Sequence, residues 1–213
     1  MAASSSYFQI AFANFMVMEW IQDVQSYLDL VLQGGIPEED RPKQCPHCGQ
    51  KDQLLHRHGT YPRKVFTLEK EWTIPVFRFY CPLPTCKKTV CIIPSFIQKH
   101  QQVALDIQEE IIQSQDEGES LAALSKKTGS LSGGSYSEKT LWRWTKGWKV
   151  RLDGFEGKVW EWILERFPHL SLLEGQTFSK WKWFFKLWEQ IQKRQTEFKN
   201  VPFLHWFHRF SRS

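Results

Sequence analysis

The chain has 213 residues, of which 41% are hydrophobic, 15% aromatic and 24% charged, and it carries eleven Trp. That aromatic content excludes a disordered or fibrous chain, and the length suffices for one or two small domains with real cores. No stretch reaches eighteen apolar residues, so no bilayer-spanning segment is expected. The net charge of +5, with a pI near 8.9, says less than its distribution. From Gln176 to Ser213 eight Lys/Arg face two Glu, from Ser137 to Arg151 five face one Glu, and from Asp106 to Glu119 six acids stand without a base. Charge segregated in this way suits a protein that turns a basic side toward a polyanion.

The N-terminus has no basic n-region and no small-residue cleavage site, so no signal peptide is expected. The Cys count of five is odd. Together these point away from a disulfide framework and toward a reducing, cytoplasmic setting. Residues 1–15, which precede Met16 and Met18, read as an extension.

Phe12 to Leu32 reads as a helix, because Met16, Trp20, Val24, Leu28 and Val31–Leu32 recur at helical spacing. Gly34–Gly35 and Pro37 end it, and GGIPEEDRPKQ is a linker. Gln50 to Tyr80 alternates and is rich in β-branched and aromatic residues, with a turn near Glu69–Glu71, so a hairpin is expected. Pro94–Ser95 closes this module.

From Gln98 the period becomes helical, with Val103, Ile107, Ile111 and Ile112 on one face. A second helix begins at Glu119–Ser120, with Leu121, Ala122 and Leu124 inward, and ends by Gly129. SLSGGSYS is a Gly/Ser loop. Ser137 is a good N-cap for EKTLWRWTKGWKVRL, which Asp153–Gly157 is expected to break. Two more helices follow, Lys158–Phe167 and about Ser179–Phe198. The tail NVPFLHWFHRFSRS is aromatic and basic, and no internal repeat is evident.

CPHCG at Cys45–Gly49 and CPLPTC at Cys81–Cys86 stand 32 residues apart (Gly49 to Tyr80), a spacing that suits a ribbon hairpin. Cys45, Cys48, Cys81 and Cys86 are the expected ligands of a structural zinc ion, which takes four soft thiolates in a tetrahedron. The second pair is C-x4-C rather than C-x2-C, and Cys91 could replace Cys86 as the fourth ligand, but Cys81-x9-Cys91 is a poor knuckle and a buried thiol is its expected role. Separate reduced core cysteines and a redox pair are the other readings, but no βαβ pattern surrounds the C-x-x-C. His47, inside the first turn, is expected to face solvent; His56 and His58, on the strand after it, could ligate, but four Cys already fill the shell. A closed four-thiolate shell leaves no open position for water and is structural, not catalytic.

Helix, Gly-containing turn and helix over Glu119–Leu152 suit a helix-turn-helix. In the second helix Leu141, Trp144, Trp148 and Leu152 line one face, and Lys139, Arg143 and Lys146 line another. Ser137, Lys139, Thr140 and Arg143 are placed to reach base edges of double-stranded DNA, and Lys146, Lys149 and Arg151 to meet phosphates. An ordinary amphipathic surface helix, kept soluble by its Lys and Arg, is the competing reading. Trp181, Phe184, Phe185, Trp188 and Ile191 read as core. Lys180, Lys182, Lys186, Lys193 and Arg194, with the tail, read either as a solvated face or as a phosphate-contacting arm.

CPHCG, HRHGTYPR at His56–Arg63, and VFRFYCPLPTCKKTVCIIPSFIQKHQQ at Val76–Gln102 together resemble a transposon-associated family of short zinc-ribbon and helix-turn-helix proteins. That family is itself similar to the N-terminal part of bacterial insertion-sequence transposases. The resemblance covers about Pro42 to Leu152. It implies that Cys45, Cys48, Cys81 and Cys86 are ligands and that Arg63 and Arg78 touch phosphates.

The expected architecture is α+β: a small β zinc ribbon, then an all-helical helix-turn-helix region and C-terminal helices. The expected divisions are an N-terminal helix and linker (1–40), a zinc ribbon (41–97), a helix-turn-helix domain (98–153) and Trp-rich basic C-terminal helices (154–213). A transposase would continue into a domain carrying three carboxylates for two metals. Only 62 residues follow Arg151, they read as helical, and no nucleophile constellation or P-loop is present. The expected function is therefore not enzymatic. It is zinc-dependent DNA binding for a mobile element, at its ends or as a regulator of transposition or transcription, in the cytoplasm at the nucleoid. A transposase or another element-encoded protein is the expected protein partner. Alternatives are a non-catalytic subunit of a split transposase, and a protein-interaction adaptor using the ribbon and the Trp-rich helices.

Overall fold

A computed structural model describes residues 15–17, 23–36, 38, 41–51, 54–130, 133–170 and 179–211. Its architecture is mixed α+β. In chain order the elements are β1 (Phe15–Val17), α1 (Val24–Leu32), β2 (His56–Phe66), β3 (Glu71–Tyr80), β4 (Thr89–Ile93), α2 (Leu105–Asp116), α3 (Leu121–Lys127), α4 (Glu138–Arg166), α5 (Lys180–Arg194) and α6 (Phe203–Phe210). The strands form one sheet in the order β1-β4-β3-β2. Strand β4 runs antiparallel to β3, with Arg78 opposite Cys91, and parallel to the three-residue β1. No helix among the described residues is long and apolar enough to cross a membrane.

The chain divides into two compact units. One comprises 1–65, 72–102 and 208–213, and the other 66–71 and 103–207. In the first, Val76, Phe79, Val90, Ile92 and Ile93 are buried from the sheet, and Tyr27 and Ile36 from the segment around α1. Asp23 caps α1 by accepting the N–H of Ser26 at 2.7 Å, and the Tyr27 hydroxyl donates to the carbonyl of Pro75. The expected hairpin turn lies at Thr67–Lys70, where the Thr67 N–H and hydroxyl both donate to the Lys70 carbonyl at 3.1 Å.

In the second unit, Val103, Ile107, Ile111, Leu124 and Leu141 form a core among α2, α3 and α4, flanked by Phe66, Leu121, Tyr136 and Trp144. Inside it the indole N–H of Trp148 donates to Gln108 Oε1 at 2.7 Å. A second, aromatic core joins α5 to the start of α6. Phe203 stacks on Phe184 and on Phe207 at interplanar angles of 9° and 4°, and Trp206 lies 4.6 Å from Trp162.

Three expectations are corrected here. The helix expected over Phe12–Leu32 starts at Val24, and Met16 sits in β1. The part of it containing Trp20 lies outside the described residues, as do residues 1–14, 131–132 and Gly175. The break expected at Asp153–Gly157 does not occur, because α4 runs 29 residues through it. A glycine inside a helix costs only about 1 kcal/mol against alanine, whereas Leu152, Val159 and Ile163 are fully buried along the same helix. The tail is not an open arm: Phe203, Leu204, His205, Trp206, Phe207 and His208 are all buried.

Candidate metal centre

Two turns bring the four thiols together. In the first, the N–H of Gly49 donates to the Cys45 carbonyl at 2.8 Å, and the N–H of Cys45 to the Gln50 carbonyl at 3.0 Å. Gly49 takes φ +73°, a left-handed conformation open to glycine without steric penalty. The second turn repeats the pattern on a wider loop. Lys87 N–H donates to the Leu83 carbonyl at 3.1 Å, Cys81 N–H to the Lys88 carbonyl at 2.9 Å, and Lys87 sits at φ +48°. Lys87 thus occupies the place of Gly49, and the two extra residues of C-x4-C lie between Cys81 and the turn itself. Nothing in the composition of CPLPTCKK signals a left-handed residue, so a search for glycine after the second cysteine misses it.

The sulfur atoms of Cys45 and Cys86 lie 3.7 Å apart, those of Cys48 and Cys81 3.8 Å apart, and all four fall within 4.8 Å of one another. A tetrahedral thiolate site with metal–sulfur bonds of about 2.3 Å has edges of about 3.8 Å. The donor set and its spacing therefore fit a structural metal. Cys45 and Cys81 are buried, Cys86 is half-buried and Cys48 is exposed, so the shell opens to solvent on one side. The N–H of Gln50, donated to Cys48, holds that thiol below its usual range. Burial pushes Cys81 up to about 12 and also raises Cys86. A metal ion must displace the protons that burial retains on these two sulfurs.

Cys91 is not among the converging sulfurs. It lies across the β3–β4 ladder from Arg78, hydrogen-bonded to Tyr61, with its thiol raised by burial. His56 and His58 are exposed on β2, the ring of His58 lies 5.8 Å from that of Tyr80, and neither joins the cluster. His47 is half-buried between the first two ligands and likewise stands outside it. Arg63 donates to the carbonyls of Gln98 and Gln101, so its guanidinium ties β2 to the segment after β4.

The residues expected to contact DNA gather at the N-terminal half of α4. The Ser137 hydroxyl accepts the N–H of Thr140 at 3.3 Å as the helix cap and lies 3.0 Å from the Thr140 hydroxyl. Lys139, Arg143, Lys146 and Lys149 are exposed, and Lys139, Arg143 and Lys149 form no ion pair among the described residues. Arg151 lies apart from them, half-buried with its guanidinium 5.4 Å from the Trp148 ring. On the opposite side Leu141, Trp148 and Leu152 are buried and Trp144 is half-buried. The two ends of the segment before α4 are joined: the Thr128 hydroxyl donates to the Ser125 carbonyl and accepts the N–H of Tyr136 at 3.2 Å. Trp142 lies outside both rows expected on this helix. It is 47% exposed, with the ammonium of Lys146 4.6 Å above its ring.

No protein-family model, curated protein or solved structure matches the chain.

Proposed function

We propose that this chain is a zinc-dependent DNA-binding protein of a mobile element, with a zinc ribbon in its first unit and a helix-turn-helix formed by α3 and α4 in its second. The observation that carries the reading is the exposed row Lys139, Arg143 and Lys146 on α4, opposite the buried row Leu141, Trp148 and Leu152. One side of the helix is committed to the α2–α3–α4 core and the other is cationic, as a helix docked in a major groove requires. Mobile-element association rests on the resemblance of the cysteine-bearing segments alone.

Cys45, Cys48, Cys81 and Cys86 would hold the zinc. Four thiolates on two turns favour zinc or an iron–sulfur centre over harder ions, and the tetrahedral edge lengths suit a single ion. Bound zinc would contribute folding free energy on the order of 10–16 kcal/mol, as structural sites of this kind do. Its role is to fix the two turns, and through them the sheet. No chemistry is asked of it.

Fluorescence anisotropy of the full chain on duplexes carrying element ends, against a scrambled duplex and across a salt series, tests the reading. Affinity should fall steeply with salt, by a logarithmic slope of about 0.9 for each phosphate neutralised. Arg143→Ala should weaken binding by about 1–3 kcal/mol if Arg143 reads a base. Equal, weak binding to both duplexes would reduce α4 to a scaffold helix.

A further inference from the structure

We infer that α4 carries a self-association surface, on which a second copy of this chain packs antiparallel along the solvent-facing row Gly147, Val150, Gly154, Gly157, Glu161 and Leu164. These six residues recur at alternating steps of three and four along one side of the helix, and all are exposed. Val150 and Leu164 are 63% and 50% exposed, although each is a large aliphatic residue.

Among the described residues, nothing packs against the three glycines. A Cβ added to Gly147, Gly154 or Gly157 meets nothing within 4 Å, and none of the three takes a positive φ. Glycine is among the poorest helix formers, and no neighbour among the described residues asks for it here. What the three glycines create is a strip of bare backbone on a 29-residue helix. Such a strip lets another helix approach closely.

Charge selects the occupant and its direction. The exposed side of α4 carries Lys139, Arg143 and Lys146 toward its N-terminus, and Glu161 and Glu165, beside Lys158, toward its C-terminus. A parallel copy would set Lys146 against Lys146 and Glu161 against Glu161, like charge on like. An antiparallel copy centred between Phe155 and Glu156 sets Lys146 opposite Glu165 of the second copy. The same register places Leu164 over Gly147, Val150 beside Glu161 and Gly154 against Gly157. Lys146, Glu161 and Glu165 form no ion pair among the described residues, so the pairing breaks no salt bridge there, although the Lys146 ammonium also lies 4.6 Å from the Trp142 ring. A two-fold axis makes every such contact occur twice, as a self-complementary interface requires. The first turn of α4, with Ser137, Lys139, Thr140 and Arg143, extends beyond the paired stretch. Lys146 belongs to both surfaces, whereas Gly154 and Gly157 lie outside the residues proposed to contact DNA, so the glycine pair tests the dimer separately from the DNA reading.

Sedimentation velocity of the full chain over a concentration series decides it. The wild type should show a monomer–dimer equilibrium. Gly154→Ala with Gly157→Ala should raise the dimer dissociation constant roughly tenfold or more, since each methyl intrudes where backbones meet, while helicity by circular dichroism holds or rises. Lys146→Glu and Glu165→Lys should each weaken the dimer, and the two together should restore it. A chain that stays monomeric at every concentration overturns the inference. So does a dimer indifferent to the glycine pair, or one that the double charge reversal fails to restore.

Discussion

The carboxylate of Glu109, in α2, accepts the backbone N–H of Leu204 at 2.6 Å across 95 residues of sequence, and also accepts the N–H of Phe203. These are the first two N–H groups of α6, which has no intrahelical partners for them. A carboxylate is thus drawn from elsewhere to cap the helix that completes the aromatic core. Burial pushes Glu109 up from 4.5 to about 7, against the pull of both N–H groups. The folded state therefore binds this proton more tightly than the unfolded state does. Stability from this group is greatest below pH about 4.5 and is lost as pH rises toward 7. Glu109→Gln keeps an acceptor for Leu204 and removes the ionisation. Urea titrations from pH 5 to 8 should show the variant gaining on the wild type as pH rises, by on the order of 2–3 kcal/mol at the upper end. A constant difference across that range would show that Glu109 does not titrate there.

A second pairing crosses the α2–α4 contact. Gln108 is fully buried, and its side-chain oxygen takes the Trp148 indole N–H. Gln108→Leu removes this acceptor while keeping the volume, and should cost about 1–3 kcal/mol in urea unfolding. Adding Trp148→Phe should cost less in that background than in the wild type, because the donor it deletes has already lost this acceptor. Simple additivity of the two changes would mean that the bond contributes nothing specific.

Much of this was legible in the chain because it rests on local chemistry. The paired cysteines announce their turns, and the buried row of α4 has helical spacing in the sequence. What stayed hidden depends on distant partners. Gly154 and Gly157 look like a break, but Val159 and Ile163 find cores on the far side of them and hold the helix continuous. The basic, aromatic tail looks solvent-directed until Phe203 and Trp206 meet the rings of α5, and until Glu109 supplies the cap. The start of α6 did leave a trace: Asn200, at φ +65°, and Pro202 stand just before it. Strand β1 is three residues long and gains its partner from β4, so no local pattern marks it.

The two turns of the candidate metal centre differ at one testable position. Lys87 holds a left-handed conformation for which Gly49 is suited, and a side chain there costs roughly 1–2 kcal/mol. Lys87→Gly should raise the melting temperature or leave it unchanged, since relief of strain opposes the added freedom of the unfolded chain. Gly49→Ala should lower it. The opposite order in thermal melts would contradict the equivalence of the two turns.

The fourth ligand can be separated from its competitor by removing each in turn. Cys86 has its sulfur 3.7 Å from that of Cys45, whereas Cys91 is engaged with Tyr61 beside Arg78 on the sheet. A full shell needs Cys86, and a serine oxygen there is a poor replacement for a soft thiolate. Cys91→Ser should keep one metal equivalent per chain by elemental analysis. Cys86→Ser should lose metal readily to a chelator, and its sheet unit should melt earlier, because metal affinity at such a site is folding free energy. Retention by the Cys86 variant together with loss by the Cys91 variant would transfer the fourth position to Cys91.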